Sequence, residues 1–296
     1  MAPLRKLFIF TTQLVSGLYR LFDHPTEIKD YFEKNNITNG QILLNSRGEI
    51  LGSVGDRRFA SKDTAPPYTV LPYTADRRFA SKDTAKPYRR PIGDRPRTSF
   101  ALIWREAPNN SIISFRGSET FIDWMHDFDI KQSDYYVGKV STGFLIEYQA
   151  VRSKIEKIKF GSRTVITGHS LGAALAILCA VHIYIEFGIQ PTVYLFASPR
   201  VGNIEFANWY DQHIPNTYMF YLAGDIAPNF PSVNMGCYKH VAYPHYILNY
   251  DPVSCSLHAY HSMDNFLLTD EWFKHIHTKV NPENPYSGCK RVADRS

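Results

Sequence analysis

From Ser99 onward, short runs of β-branched and aromatic residues alternate with stretches whose apolar residues recur every three or four positions. Phe100-Ala-Leu-Ile-Trp104 and Ser111-Ile-Ile-Ser-Phe115 read as strands. Between Gly143 and Ile158, Phe144, Tyr148, Val151, Ile155 and Ile158 share one face of a helix. There follow a strand at Thr164-Val165-Ile166, a small-residue helix from Ala173 to Leu178, a strand at Thr192–Phe196, a helix around Ile204 to Trp209 and a strand at Tyr218–Leu222. Alternating strands and helices predict an α/β fold with a mostly parallel central sheet and helices on both faces. At 296 residues and 44% hydrophobic content the chain can bury one large core, so a single principal domain is expected over residues 99–280.

The join between the third strand and its helix carries Gly168-His169-Ser170-Leu171-Gly172. A serine on so tight a strand-to-helix turn is held in a strained conformation with its Oγ presented, and the residues two away on each side must lack a Cβ. The free N–H groups and positive end of the helix point at the same spot, where a developing oxyanion would be stabilised. The pentapeptide alone occurs by chance, but the strand before it and the small-residue helix after it make Ser170 a candidate acyl-transfer nucleophile. His169, beside the nucleophile, is expected to point away and to pack or hydrogen-bond along the sheet. This is α/β-hydrolase architecture.

Before residue 99 the pattern differs. Leu7, Phe10, Leu14, Leu18 and Leu21 follow helical spacing, interrupted by Thr11, Thr12 and Gln13, which suits an amphipathic helix better than a signal peptide. Residues 1–45 are expected to form a helical segment packing on the catalytic domain. Asp56–Tyr68 recurs at Asp76–Tyr88, differing only at Pro66 and Lys86, inside a Pro-rich stretch over 46–98 that reads as a duplicated surface insertion. Residues 281–296 are left as a C-terminal tail.

Charge and cysteines narrow the chemistry. The formal charge is +5, but eleven Lys/Arg against five Asp between Asp56 and Arg97 give that stretch +6, so the remainder is about −1. Nucleic acid is therefore not an expected partner. Cys179, Cys237, Cys255 and Cys289 are too few for a disulfide scaffold and show no metal-ligand spacing, although one disulfide among the last three is compatible with the sequence. No metal or cofactor is implied, and no segment reaches the length of a membrane span.

In this architecture an acid and then a histidine follow the serine. Asp225 sits after a predicted strand, between Gly224 and Pro228, with Asp251 the alternative. Six histidines follow it. His261, just before Ser262-Met263-Asp264-Asn265-Phe266-Leu267, is the favoured base, with His258 its competitor; His240 and His245 read as packing residues.

Several ordered motifs together resemble the class 3, fungal-lipase-like lipases. They are Ser114-Phe115-Arg116-Gly117-Ser118 with Asp123-Trp124 and Asp127, Gly143-Phe144, the elbow with Thr167 and Ala173, Ser198-Pro199-Arg200-Val201-Gly202-Asn203, Asp225, and His261-Ser262-Met263. They span roughly residues 99–268. The resemblance implies Ser170 as nucleophile, Asp225 as acid, His261 as base, and Ser118 and Leu171 as oxyanion-hole residues. The chain departs from the family pattern in having Val140-Ser141-Thr142 where a histidine usually precedes Gly-Phe, and Asp225-Ile226-Ala227-Pro228 in place of Asp-Pro-Val-Pro.

The resemblance implies a serine ester hydrolase acting on acylglycerols or related lipid esters through an acyl-enzyme. The alternatives are a thioesterase or acyltransferase with the same triad, or a non-catalytic lipid-binding protein. The apolar stripe of Phe121, Trp124, Met125 and Phe128, directly after Ser118, is expected to be a lid or lipid-contact helix. The expected partner is a lipid ester, with contact to a membrane or lipid-droplet surface. The N-terminal pattern favours an intracellular, soluble or membrane-peripheral location, with secretion the alternative.

Overall fold

Among the described residues, eleven strands in two sheets account for most of the frame that positions Ser170. The computed structural model describes residues 11–12, 15–16, 101–107, 110–117, 128–156, 160–243, 245–248, 256–267 and 276–279. The insertion at 46–98, the tail at 281–296, Ser118, Phe121, Trp124, Met125 and Asp251 lie outside the described residues.

Seven strands form the main sheet in the order β1 (Ala101–Ala107), β2 (Asn110–Phe115), β5 (Arg163–His169), β6 (Thr192–Phe196), β8 (Thr217–Leu222), β10 (His245–Leu248) and β11 (Ile276–Lys279). From β2 to β10 every neighbour pair is parallel, and β1 and β11 close the two edges antiparallel. The expected mostly parallel sheet is therefore present, with an antiparallel strand at each edge. A smaller antiparallel sheet runs β3 (Gln132–Tyr135), β4 (Gly138–Ser141), β7 (Gly202–Asn203) and β9 (Tyr238–Lys239). Its strands are two to four residues long and largely polar, too short for an alternating pattern to register in the sequence.

α1 (Thr142–Ile155) packs on α2 (Leu171–Phe187), which covers one face of the main sheet, and α3 (Ile204–His213) packs on the smaller sheet. Phe144, Tyr148, Val151 and Ile155 of α1 are buried in this layer, as their spacing requires. Every residue of α2 from Leu171 to Ile183 is buried. A helix apolar on all sides, with glycine or alanine at four of the six positions after Leu171, can lie directly on the sheet. Gly188, in the left-handed conformation at φ 65°, ends α2 by donating its N–H to the Tyr184 carbonyl. Asn203 caps α3, its side chain accepting from the Phe206 N–H.

The opposite face presents Tyr194, Phe196, Phe220, Leu222 and Leu248, and is closed by Met263, Phe266 and Val15. Thr11, Thr12, Val15 and Ser16 are helical and buried. The threonines that interrupt the apolar run in the sequence are thus on a closely packed inward face, one of small side chains, whereas the periodicity had directed Leu7, Phe10 and Leu14 inward. Cys179 is a buried free thiol, and Cys237 is disulfide-bonded to a partner outside the described residues.

Candidate active site

The turn between β5 and α2 has the geometry its composition demands. Ser170 occupies φ 58°, ψ −126°, a strained conformation for a residue with a side chain. Its N–H donates to the Phe196 carbonyl at 3.0 Å, tying the turn to β6, while its own carbonyl accepts from Ala173 at 3.0 Å. A Cβ at Gly168 would stand 2.2 Å from the Gly172 carbonyl oxygen. One at Gly172 would stand 2.3 Å from the Phe115 oxygen and 2.7 Å from the Arg116 carbonyl group. The first glycine lets the chain fold back on itself, and the second brings the start of α2 against the end of β2, two residues before Ser118.

Leu171 is the first residue of α2, so its N–H has no intrahelical acceptor. It points, with the helix dipole, toward the space beside Ser170. Ser170 is fully buried, and its Oγ makes no hydrogen bond with any described residue.

Two further segments meet at the elbow. Asp225, on the loop after β8, is buried, and its N–H donates to the Leu222 carbonyl at 3.0 Å. Oδ1 accepts from the Ala227 N–H at 2.9 Å. His261, at the end of the one-turn helix α4 (Leu257–His261), donates from Nδ1 to Oδ1 at 3.0 Å and to Oδ2 at 2.9 Å. A carboxylate on Nδ1 leaves Nε2 as the basic nitrogen. The loop and the helix interlock, because a Cβ at Gly224 would lie 2.4 Å from the Tyr260 ring. His258 is exposed on the same helix, three residues away. The structure thus joins His261, not His258, to Asp225. The His169 ring lies 4.7 Å from the His261 ring, which brings the base's helix against the elbow.

Residues 112–235 match the family described as lipase (class 3). The match takes in under half of the chain, and over that stretch the chain is similar to class 3 lipases. It is 33% identical over 152 residues to a secreted mono- and diacylglycerol lipase of Fusarium solani, covering 48% of this chain and 45% of the relative. A lipase of Caenorhabditis elegans is 38% identical over 120 residues, covering 38% of this chain and 33% of that protein. The chain thus spans half or less of the length of these relatives. A solved triacylglycerol lipase with a serine-protease-type triad is 30% identical, covers 52% of this chain and 63% of its own, and superposes with a TM-score of 0.46. The fold assignment rests on the strand order above rather than on that overlap.

The acid's loop is held by Arg200, which sequence reasoning left without a role, and by His240, which together with His245 it read as packing. Arg200 Nη1 donates to the carbonyls of Asn229 and Pro231, the latter at 2.9 Å, and its N–H donates to the Phe230 carbonyl at 2.7 Å. His240 Nε2 bonds the Pro228 carbonyl, and His245 stacks on Tyr243 at 4.0 Å while bonding the Val241 carbonyl. The Arg200 and His240 partners lie 29, 31 and 12 residues away in sequence, a relation no local pattern encodes. Phe128 packs on Phe144 at 4.5 Å and Phe230 at 6.0 Å, with Gly143 against its ring, so the geometry gives it a packing position at the end of the apolar stripe. Among the described residues no cluster of His, Cys, Asp and Glu could hold a metal ion.

Proposed function

We propose that this protein is a serine ester hydrolase of lipase type, cleaving acylglycerols or related lipid esters through an acyl-enzyme. The observation that carries the reading is the buried Asp225–His261 pair, hydrogen-bonded at 2.9 Å and packed against the turn that strains Ser170. His261 Nε2 takes the proton from Ser170 Oγ as the oxygen attacks the ester carbonyl, and returns it to the leaving alcohol. Asp225 fixes the tautomer and stabilises the imidazolium. Water then attacks the acyl-enzyme by the same proton path. The oxyanion is held by the N–H groups of Leu171 and Ser118, and losing one such donor costs about 10²–10³ in kcat.

The lipid ester as substrate follows from the family and from relatives named as mono- and diacylglycerol lipases. Phe121, Trp124 and Met125, between Ser118 and the anchored Phe128, are proposed to form the lid or lipid-contact segment. Residues 99–280 are proposed as the catalytic body, with the N-terminal segment packed on it and the insertion at 46–98 outside it.

The preference for an intracellular location has no support. Relatives are named as secreted, and Cys237 is disulfide-bonded, which suits an oxidising compartment. Among the described residues no helix is long and apolar enough to cross a membrane. We therefore place the protein on the secretory route.

A fluorophosphonate probe tests the reading. Wild type should label and Ser170→Ala should not, and a panel of mono-, di- and triacylglycerols and phospholipids should show turnover of at least one acylglycerol. Absence of both labelling and turnover in folded wild type would overturn it.

A further inference from the structure

The helix that carries the proposed base is a single turn, too short to hold its own geometry. Side chains from outside it hold it in place. Asn265 Nδ2 donates to the carbonyls of Ala259 at 2.7 Å, Ser262 at 3.0 Å and Tyr260 at 3.4 Å. The ring of His261 itself is packed by the ring of His169.

His169 is the last residue of β5, immediately before Ser170, and pairs in register with Phe196 of β6. It is buried, its ring lies 4.7 Å from that of His261 at 36°, and its far side meets Phe266 at 6.4 Å. One residue thus has its backbone fixed in the sheet beside the nucleophile and its side chain packed on the ring of the base.

We infer that His169 is a positioning residue, which by packing on the His261 ring sets the placement of the base relative to Ser170. The inference rests on the triad reading above. It also revises the expectation that His169 points away from the chemistry, since its ring lies against that of the base.

The protonation state of His169 suits this role. Burial, with the neighbouring His261 adding to it, pushes the His169 ring well below the usual histidine range. A neutral ring adds no charge beside the imidazolium that forms on His261 when it takes the serine proton. A lysine or a charged histidine there would oppose that step.

The test compares wild type with His169→Ala, His169→Phe and His169→Gln in two measurements. The first is kcat and KM on a short-chain ester. The second is the low-field proton resonance of the His261 Nδ1–H bonded to Asp225, which needs no turnover. His169→Ala is expected to lower kcat about 10- to 100-fold, since a displacement near 1 Å can cost about 10²-fold, with KM within about twofold. Its low-field resonance should shift or broaden. Phenylalanine, which keeps the ring, should recover more kcat than glutamine, which does not. A folded His169→Ala with kcat within about twofold of wild type and an unchanged resonance overturns the inference. So does glutamine recovering as much as phenylalanine, since ring packing on His261 would then not set the base. If the alanine variant does not fold, the Phe and Gln variants, which fill the site, decide the matter. If wild type turns over no ester, the proposed function fails, while the resonance still supports or overturns positioning by His169.

Discussion

Replacing Asp225 by asparagine should disable the base while leaving the loop intact, and the hydrogen bonds around the carboxylate give the reason. Oδ1 already accepts from the Ala227 N–H at 2.9 Å, a bond that only an oxygen can make. The asparagine carbonyl therefore occupies that position, which turns the NH₂ toward His261 Nδ1, where Oδ2 now lies at 2.9 Å. The retained oxygen also lies 3.0 Å from Nδ1, but an Nδ1–H would then face the NH₂ hydrogens at 2.9 Å, a repulsion relieved when Nδ1 becomes the acceptor and Nε2 carries the proton. The nitrogen that should receive the serine proton is then occupied. Inverting the tautomer of a triad histidine costs about 10⁴ in kcat, or about 5 kcal/mol. The lost charge-assisted bond costs about 1.5–3 kcal/mol of stability, which lowers Tm without unfolding the domain. Turnover of p-nitrophenyl butyrate near pH 8, with Tm as the control, measures both. Retention of more than a tenth of wild-type kcat by folded Asp225→Asn would refute the tautomer argument.

Gly172→Ala puts a Cβ within 2.3 Å of the Phe115 carbonyl oxygen, on backbone that cannot yield, so α2 must retreat from the end of β2. A loss of about 10²-fold or more in kcat is expected with the circular dichroism of the fold retained, and near-wild-type turnover would contradict the close-approach argument. His182 is pushed down to about 4 by burial and by Arg152, against the opposing pull of Glu156 and Glu186. Its folded value lies below the unfolded 6.5, so the folded state resists protonation, and stability present above pH 6.5 is lost as pH falls toward 4. The loss is at most about 3 kcal/mol. Urea melts at pH 7 and pH 4.5 should show it, and His182→Asn should shrink the difference; an unchanged difference would remove His182 from the account. Cys179, with its thiol pushed up to about 12 by burial, should resist iodoacetamide at pH 8 in the native state and react after denaturation. Native-state alkylation at the rate of an exposed thiol would contradict that burial.

What the sequence disclosed were the features that are local. Periodicity located α1, because Phe144, Tyr148, Val151 and Ile155 had to share a buried face. Two glycines around a serine announced the elbow, because only a missing Cβ allows contacts of 2.2 and 2.3 Å. What stayed hidden depends on elements meeting across the fold. His258 and His261 lie on the same short helix, and only the tertiary arrangement puts one on Asp225 and leaves the other exposed. The same holds for Arg200 on the 229–231 carbonyls and for His169 on His261. The small second sheet escaped notice because strands of two to four residues carry no readable alternation. Thr11 and Thr12 misled for the opposite reason, since polar residues in an apolar run suggest exposure whereas these two are buried.

The central claim is that an ester's acyl group passes through Ser170 Oγ. Rapid mixing with a slowly turned-over ester, acid quench and peptide mass analysis tests it directly. The account predicts a transient acyl mass on the peptide containing Ser170, absent in Ser170→Ala and formed far more slowly in His261→Ala. Ester turnover with the acyl mass on another residue, or undiminished turnover by Ser170→Ala, would contradict it.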